Sequence, residues 1–577
     1  MENRDLAAMF EEMADILEIK GENPFRIRSF RRVADILHGL DFNVASTVME
    51  NPDKLRAIPG IGEGTMRKIG EVVAVGRCEE HERLRAEIPA SMLPLLRLQG
   101  LGPKRIHLIW ESLRISTLDE LEAAARDQKL RTVPGIGAKT EGTILNAIAD
   151  YRRAQGRFRL DQALEAGAPL LAFLRDEPSI VRLETAGSIR RRRETIGDID
   201  ILVTTAEPRK AIDHFLRYPG IRSVLGSGET KTSITISKGL QADLRVLEEK
   251  SFGAALQYFT GSKEHNVVLR ERAKRRGLKV SEYGVFRVDD DQKIGGETEE
   301  EVYQLLDLQP IPPELRENRG EIERAENGTL PKLIEESDIR GDLHMHTTAS
   351  DGRDTVEAMT QAALARGYEY VAITDHSKAL SMVGGLDEEA VLRHCREIDL
   401  LNERTRHVRI LKGMEVDILG EGQLDLSNEV LAELDVVIAS VHSHFSMPSA
   451  RMTERICRAL ENPYVNILAH PTGRLILRRE PYAFELKEVF QAAIQNRVIL
   501  ELNSYPDRLD LKDTHCRLAK EMGALISINT DSHAGSMLRF MRYGIATARR
   551  GWLEAEDVVN TYPLARLRTI LKKEAYR

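Results

Sequence analysis

GSIRRRRETIGDIDILV, residues 187–203 of a 577-residue chain, puts a turn, a charge cluster and a strand into one short stretch. A Gly-Ser pair opens the turn and four arginines follow, after which Asp198 and Asp200 begin an apolar run of strand composition. Side chains alternate along a strand, so the two carboxylates share a face. Carboxylates that close repel unless a divalent cation lies between them. A third, Asp243, stands in ADLRVLE (242–248), a later strand-like run from which it can join them. An isolated Asp-x-Asp is common on exposed strands. The upstream turn and the downstream Asp point instead to two metal ions set for in-line phosphoryl transfer.

Outward from this stretch the chain changes character on both sides. IDILVTT (199–205) and TSITISKG (232–239) extend the mixed helix-and-strand region, which starts near residue 151. The first 90 residues read as short amphipathic helices, among them LAAMFEEMADILEI and FRRVADILHGL. Between lie three related segments: IPGIGEGTMRKI (58–69), LQGLGPKRIHLI (98–109) and VPGIGAKTEGTI (133–144). Each places Gly-x-Gly before a basic helix start, a spacing expected of helix-hairpin-helix units. Glycine permits positive φ, so backbone N–H groups can face a phosphate without a Cβ in the way. Gly60, Gly62, Gly100, Gly102, Gly135 and Gly137 are the hairpin glycines, and Lys68, Lys104, Arg105 and Lys139 add charge on the following helices. Such contacts bind the DNA backbone without reading bases.

The formal charge of −8 conceals two basic segments. Residues 91–160 hold 12 basic and 7 acidic residues, and residues 181–280 hold 20 and 12, so a local polyanion-binding surface is expected in an acidic chain. Hydrophobic residues at 42% and charged residues at 30% fit a globular chain. No apolar run reaches the roughly 20 residues of a membrane span, and the charged, helix-patterned N-terminus is unlike a signal peptide. Cys78, Cys395, Cys457 and Cys516 have no Cys-x-x-Cys spacing and form no disulfide framework. A cytoplasmic monomer without membrane contact is the expectation. No Gly-x-x-x-x-Gly-Lys-Ser/Thr loop is present, which argues against ATPase or ligase activity.

Residues 309–338, rich in proline and charge, read as a linker. Ten of the fifteen histidines follow residue 337. There, six apolar runs each end in polar chemistry: YVAITDHS, VRILKGMEVDI, DVVIASVHSH, VNILAHP, VILELNS and ALISINTDSH. A βα barrel gathers strand C-termini at one rim. HMHTTASDG supplies His344, His346 and Asp351. The strand ends supply Asp375, His376, Glu415, His442, His470, Asp531 and His533, with His444 competing with His442. Imidazole and carboxylate together suit Zn²⁺, Mn²⁺ or Fe²⁺.

The motifs of the first 320 residues, with YFTGSKEHNVVLR (258–270), closely resemble the family X DNA polymerases, of which DNA polymerase beta is the best known. The resemblance implies that Asp198, Asp200 and Asp243 hold two Mg²⁺ (or Mn²⁺) ions and that Asp243 helps activate the primer 3′-hydroxyl. It places Gly187, Ser188 and Arg191 at the triphosphate, Tyr258, Phe259 and Gly261 at the sugar, Asn266 at the base and Arg270 at the template strand. Gln241 departs from a family arginine and Lys263 from a family acid, which bears on rate and nucleotide affinity. Lys68 aligns with the family lysine that forms a Schiff base with a 5′-deoxyribose phosphate; a phosphate contact is its other reading.

The C-terminal set resembles the PHP domain, a distorted (β/α)7 barrel with up to three metal ions. The resemblance implies one metal on His344, His346, Glu415 and Asp531, a second shared through Glu415 with His442 and His470, and a third on Asp351, His376 and His533. The expected architecture is multidomain α and α/β: an N-terminal 5′-end-binding domain (1–90), fingers with two helix-hairpin-helix motifs (91–150), a polymerase-beta-like palm (151–250) and thumb (251–315), a linker (316–337) and the barrel (338–577). The expected activity is template-directed synthesis that fills short gaps in DNA repair, on gapped or nicked duplex with deoxynucleoside triphosphates. Exonuclease, abasic-site or 3′-end processing is expected of the barrel. The alternatives are a DNA-end-binding scaffold, or a nuclease, with a degenerate polymerase centre.

Overall fold

The computed structural model describes residues 3–40, 43–56, 58, 60–98, 101–154 and 156–572. They form two compact units, Met1–Gln155 and Gly156–Arg577.

The first unit is helical. Leu6, Phe10, Met13 and Leu17 recur at three and four along the helix Asn3–Ile19 and are buried, packed in one core with Val33 and Leu37 of the helix Pro24–Gly39. Asn23 caps the second helix, accepting a bond from the Phe25 N–H at 2.9 Å, and Pro24 follows at the first helical position. The three repeats fold alike. In each, the residue between the glycines donates its N–H to the carbonyl three residues back: Ile61 to Ile58 at 3.0 Å, Leu101 to Leu98 at 3.1 Å, Ile136 to Val133 at 3.1 Å. That residue is also the buried plug of the turn. Gly60 and Gly135 take φ of +101° and +81°, which a side chain would strain. Gly100 lies outside the described residues.

The second unit begins with a five-stranded sheet: β1 (Ile180–Thr185), β2 (Asp198–Thr205), β3 (Ser223–Ser227), β4 (Lys231–Thr235) and β5 (Gln241–Leu247), in the order β1-β2-β5-β4-β3. Only β2 and β5 run parallel. Strand alternation gives β2 two roles. Ile199, Ile201 and Val203 face a core shared with Leu170 and Leu174 of the helix Leu160–Arg175, while Leu202 meets Phe252 and Leu256 on the other face. A three-stranded antiparallel sheet follows, β6 (Leu278–Ser281), β7 (Gly284–Arg287) and β8 (Lys293–Gly295).

The stretch expected to be a linker is packed instead. Ile311, Leu315, Ile322, Ala325 and Leu333 join the core of the β6–β8 region, and Arg316 and Glu321 are buried. Too few apolar residues mark this stretch for periodicity to show, and its buried charges are satisfied by partners distant in sequence: Glu299 for Arg316 at 2.5 Å, His265 for Glu321 at 2.8 Å.

The barrel has seven parallel strands in chain order: β9 (Gly341–Asp342), β10 (Tyr370–Ile373), β11 (Arg409–Asp417), β12 (Val436–Ser440), β13 (Ile467–Leu468), β14 (Ile499–Asn503) and β15 (Ile526–Asn529). Their near-continuous apolar composition fits burial on both faces. Beyond the strand ends, the His346 N–H donates to Ser532 and the Asp531 N–H to His344, at 2.8 and 3.0 Å. These bonds draw first and last strands together. No helix among the described residues is long and apolar enough to cross a membrane.

Candidate active sites

The β2–β5 register sets Asp200 directly opposite Asp243, with Asp198 two residues earlier on the same face. Gly187 opens the short helix Gly187–Arg190 at φ +61°, and a Cβ there would collide with the Asp200 carboxylate. Burial, with Asp198 and Asp243 adding repulsion, pushes the Asp200 carboxyl up to about 6. Asp198 is raised for the same reasons, burial first and then Asp243. Burial would also raise Asp243, but bonds from Gln241 at 2.8 Å and Lys231 at 2.9 Å overcome it and hold this carboxyl below its ordinary value. Two carboxylates raised by burial, and then by the charge of neighbouring carboxylates, are a group short of positive charge, which a divalent ion would supply.

Around this centre, Ser188 and Arg191 lie on or beside the Gly187–Arg190 helix, and Tyr258, Phe259 and Gly261 lie at the end of the helix Phe252–Thr260. Arg191 donates to the Thr260 carbonyl and, at 3.1 Å, to Glu317. Tyr258 and Phe259 pack edge to face at 5.1 Å. Asn266 is buried, donating to the Tyr258 carbonyl at 2.7 Å and accepting from Gln257 at 2.8 Å, so its amide plane is set. Lys263 and Arg270 are exposed on the helix Lys263–Arg275. Lys231, which the sequence reading did not single out, belongs to this centre. It begins β4, whose Ser233 pairs with Asp243, and its ammonium lies 2.9 Å from that carboxylate.

In the first unit, Gly102, Lys104, Gly135, Gly137 and Lys139 are exposed, and Gly62 caps the helix Glu63–Val75. Lys68, on that helix, is only 12% exposed and pairs with Glu80 at 2.9 Å.

At the barrel rim, three sets of side chains among the described residues converge closely enough to hold a metal: His346, Asp351, His376 and His533; His344, His346 and Asp531; His376, Glu415 and His442. His470 joins through Glu415 at 3.0 Å. Glu415 is central, with His346, His376, His442 and His470 all within 3.6 Å of its oxygens. His346 and His376 each belong to two sets, so the ligands interlock through these histidines as well as through the expected shared Glu415. His444 is exposed and belongs to none of them.

The donor chemistry fits a metal. His344 Nε2, both ring nitrogens of His346 and His376 Nδ1 are buried with no hydrogen-bond partner, a costly state unless an ion takes the lone pair. The second nitrogens are oriented from behind: His344 Nδ1 by Glu501 at 2.7 Å, His442 Nδ1 by Asp417 at 3.1 Å, His533 Nδ1 by the Asp531 carbonyl at 2.9 Å. Burial, reinforced by His533 and His376, lowers His346 to about 4, so its imidazole is neutral at pH 7, as a ligand must be. Asp375 is not in any set. It fixes the HTTAS loop through Thr347 and Ser350, at 2.6–2.8 Å, and pairs with His394. Glu501, Asp417, His394 and Arg508 (3.6 Å from Asp531) escaped sequence reasoning, because nothing local separates a supporting carboxylate from a surface one.

The chain matches four family descriptions: a helix-hairpin-helix domain over residues 1–78, a SAM-like helix-hairpin-helix tandem over 92–150, the DNA polymerase beta thumb over 255–317 and the PHP domain over 342–505. It is 39% identical over 575 residues to the DNA polymerase/3′-5′ exonuclease PolX of Bacillus subtilis (strain 168), covering 99% of this chain and 100% of that protein. A probable phosphatase of Thermoanaerobacter sp. (strain X514) is 30% identical over 244 residues, 40% of this chain and 94% of that one. A probable phosphatase of Acetivibrio thermocellus is 34% identical over 201 residues, 33% of this chain and 78% of its own length.

Proposed function

The chain belongs to the family X DNA polymerases that carry a C-terminal PHP domain, and from that premise we propose a gap-filling DNA polymerase with a separate 3′-5′ exonuclease centre. The observation that carries this reading is the presence of two carboxylate-rich centres on different strands of one unit. Asp198, Asp200 and Asp243 meet on β2 and β5, and the interlocked histidines and acids meet at the barrel rim. Divalent metals serve both centres: two Mg²⁺ or Mn²⁺ in the palm, up to three Zn²⁺, Mn²⁺ or Fe²⁺ in the barrel. When bound they compensate charge on the transferring phosphoryl group.

The chain's own residues do the rest. Asp243, kept ionised by Lys231 and Gln241, faces the primer 3′-hydroxyl and takes part in its deprotonation. Gly187, Ser188 and Arg191 hold the triphosphate, Tyr258, Phe259 and Gly261 the sugar, and Asn266 the base edge. Arg270 and the three hairpins grip the duplex, the first hairpin on the 5′ side of a gap. The protein acts as a cytoplasmic monomer on gapped or nicked DNA, with domains divided near residues 90, 150, 250 and 337, the stretch before 337 packing with the thumb. A DNA-end scaffold with a dead polymerase centre is disfavoured by the Asp200–Asp243 register.

Asp200→Asn and His346→Ala separate the two centres. The first should lose nucleotide incorporation by a factor of at least about 10³, a loss expected when a catalytic charge is removed, while retaining exonuclease activity and DNA binding. The second should lose exonuclease activity and bound metal while retaining incorporation. Substantial primer extension by Asp200→Asn, or loss of both activities together in either folded variant, overturns the two-centre reading.

A further inference from the structure

Arg191 is committed to protein partners on both sides. Its Nη1 donates to the Thr260 carbonyl, beside Gly261, where a Cβ would lie 3.2 Å from that nitrogen. Its Nε donates to Glu317 Oε1 at 3.1 Å, and Arg550 Nη1 donates to the same oxygen at 3.0 Å. Arg550 ends the helix Met541–Arg550 of the barrel, which leads back from β15 and the Asp531 rim. It also donates to the Arg191 backbone carbonyl at 2.7 Å and to Asp513 at 2.8 Å. Asp513 in turn receives Arg319 at 3.0 Å, and Arg193 donates to the second oxygen of Glu317 at 3.1 Å. The centre of the group is nearly dry, with side-chain exposure of 4% for Arg550, 8% for Glu317 and 12% for Arg191, while Arg193 and Arg319 reach solvent at its edge.

We propose that the barrel is a positioning element of the nucleotide site, with Arg550 acting through Glu317 to hold the Arg191 guanidinium where a triphosphate meets it. The inference rests on the reading of Arg191 as a triphosphate contact. Three guanidinium groups surround Glu317, so the local charge stays positive after pairing and suits a polyanion. Burial would raise the Glu317 carboxyl, but Arg550, Arg191 and Arg193 hold it below its ordinary value, so it remains a charged anchor. Arg550 is suited to this by shape. Its fork reaches three acceptors on three separate segments (the palm at Arg191, the former linker at Glu317 and the barrel at Asp513), which a lysine's point charge cannot do at once. Arg190 secures the other side of the same turn, bonding Thr260 Oγ1 at 2.7 Å and Glu299 at 2.6–2.7 Å.

The test is single-nucleotide incorporation on gapped duplex by the full chain, with KM for the nucleotide, kcat and DNA affinity measured separately. Arg550→Ala should raise the nucleotide KM about five- to tenfold, the size expected of a coupled neighbour. DNA affinity and exonuclease activity should be unchanged. Arg550→Lys should recover part of the loss, and Glu317→Gln should reproduce it. In an Arg191→Ala background, Arg550→Ala should add nothing. A normal nucleotide KM in Arg550→Ala, or an equal effect with and without Arg191, overturns the proposal. If Arg550→Ala fails to fold, Glu317→Gln and the Arg550→Lys shift decide by the same criteria. If Arg191→Ala itself leaves the nucleotide KM unchanged, the underlying reading of Arg191 fails instead.

Discussion

Lys68 shows how a residue's surroundings refine its sequence reading. Its ammonium lies 2.9 Å from Glu80 and 5.4 Å from the Phe30 ring centre. Burial would raise Glu80, yet Lys68 and Arg26 hold that carboxyl below its ordinary value. An amine attacks carbon only when it is unprotonated and unpaired. On DNA with a 5′-deoxyribose phosphate, borohydride trapping should therefore give an adduct that Lys68→Ala abolishes and Glu80→Gln increases. An adduct that persists in Lys68→Ala moves the nucleophile elsewhere. Absence of any adduct, in Glu80→Gln as well, leaves Lys68 as a phosphate contact. The lysine was legible in IPGIGEGTMRKI; Glu80, twelve residues on and in another helix, was not, because only folding brings it near.

At the scale of the element, the helix-hairpin-helix units were the most legible part of the chain. Two glycines around one apolar residue, before a basic helix start, specify the turn almost completely, and all three copies share the hydrogen bonds. Lys104 and Lys139 occupy equivalent first-turn positions and are exposed. Replacing both with alanine should weaken duplex binding equally for all sequences and reduce the slope of log affinity against log salt by about 1–2, near 0.9 per phosphate contact. Fluorescence anisotropy over a salt series checks this, and an unchanged slope excludes these lysines as phosphate contacts. The β2 and β5 strands were legible through alternation. Their parallel register was not, because two strands some 40 residues apart carry no local sign of their alignment.

Across the second unit, buried ion pairs join segments that look independent in sequence. Glu299 receives Arg190 from the Gly187–Arg190 helix at 2.6 Å and Arg316 from the packed 309–338 stretch at 2.5 Å. Burial alone would raise its carboxyl, but the two arginines overcome this and hold it at about 2, against an ordinary 4.5. Because the folded value is depressed, the stabilisation is fully present above pH 4.5 and disappears as pH falls toward 2. It corresponds to roughly 3 kcal/mol at neutral pH. Urea unfolding of wild type and Glu299→Gln should therefore differ clearly at pH 7, with the gap closing as pH falls below 4.5. A gap of the same size at pH 7 and pH 3 removes Glu299 from the account.

The sequence by itself determined the chemistry of both centres: which residues carry carboxylate and imidazole, and that strand ends would present them. It also determined the hairpins, since turn geometry and plug burial are local. Tertiary structure alone decided how the ligands interlock around Glu415, which carboxylates stand behind the histidines, and that residues 309–338 form packed structure. The physical reason is shared. Periodicity and turn chemistry act between near neighbours, whereas a buried charge such as Arg316, Glu317 or Arg550 is tolerated only where partners from distant segments meet it, and those meetings exist only in the folded chain.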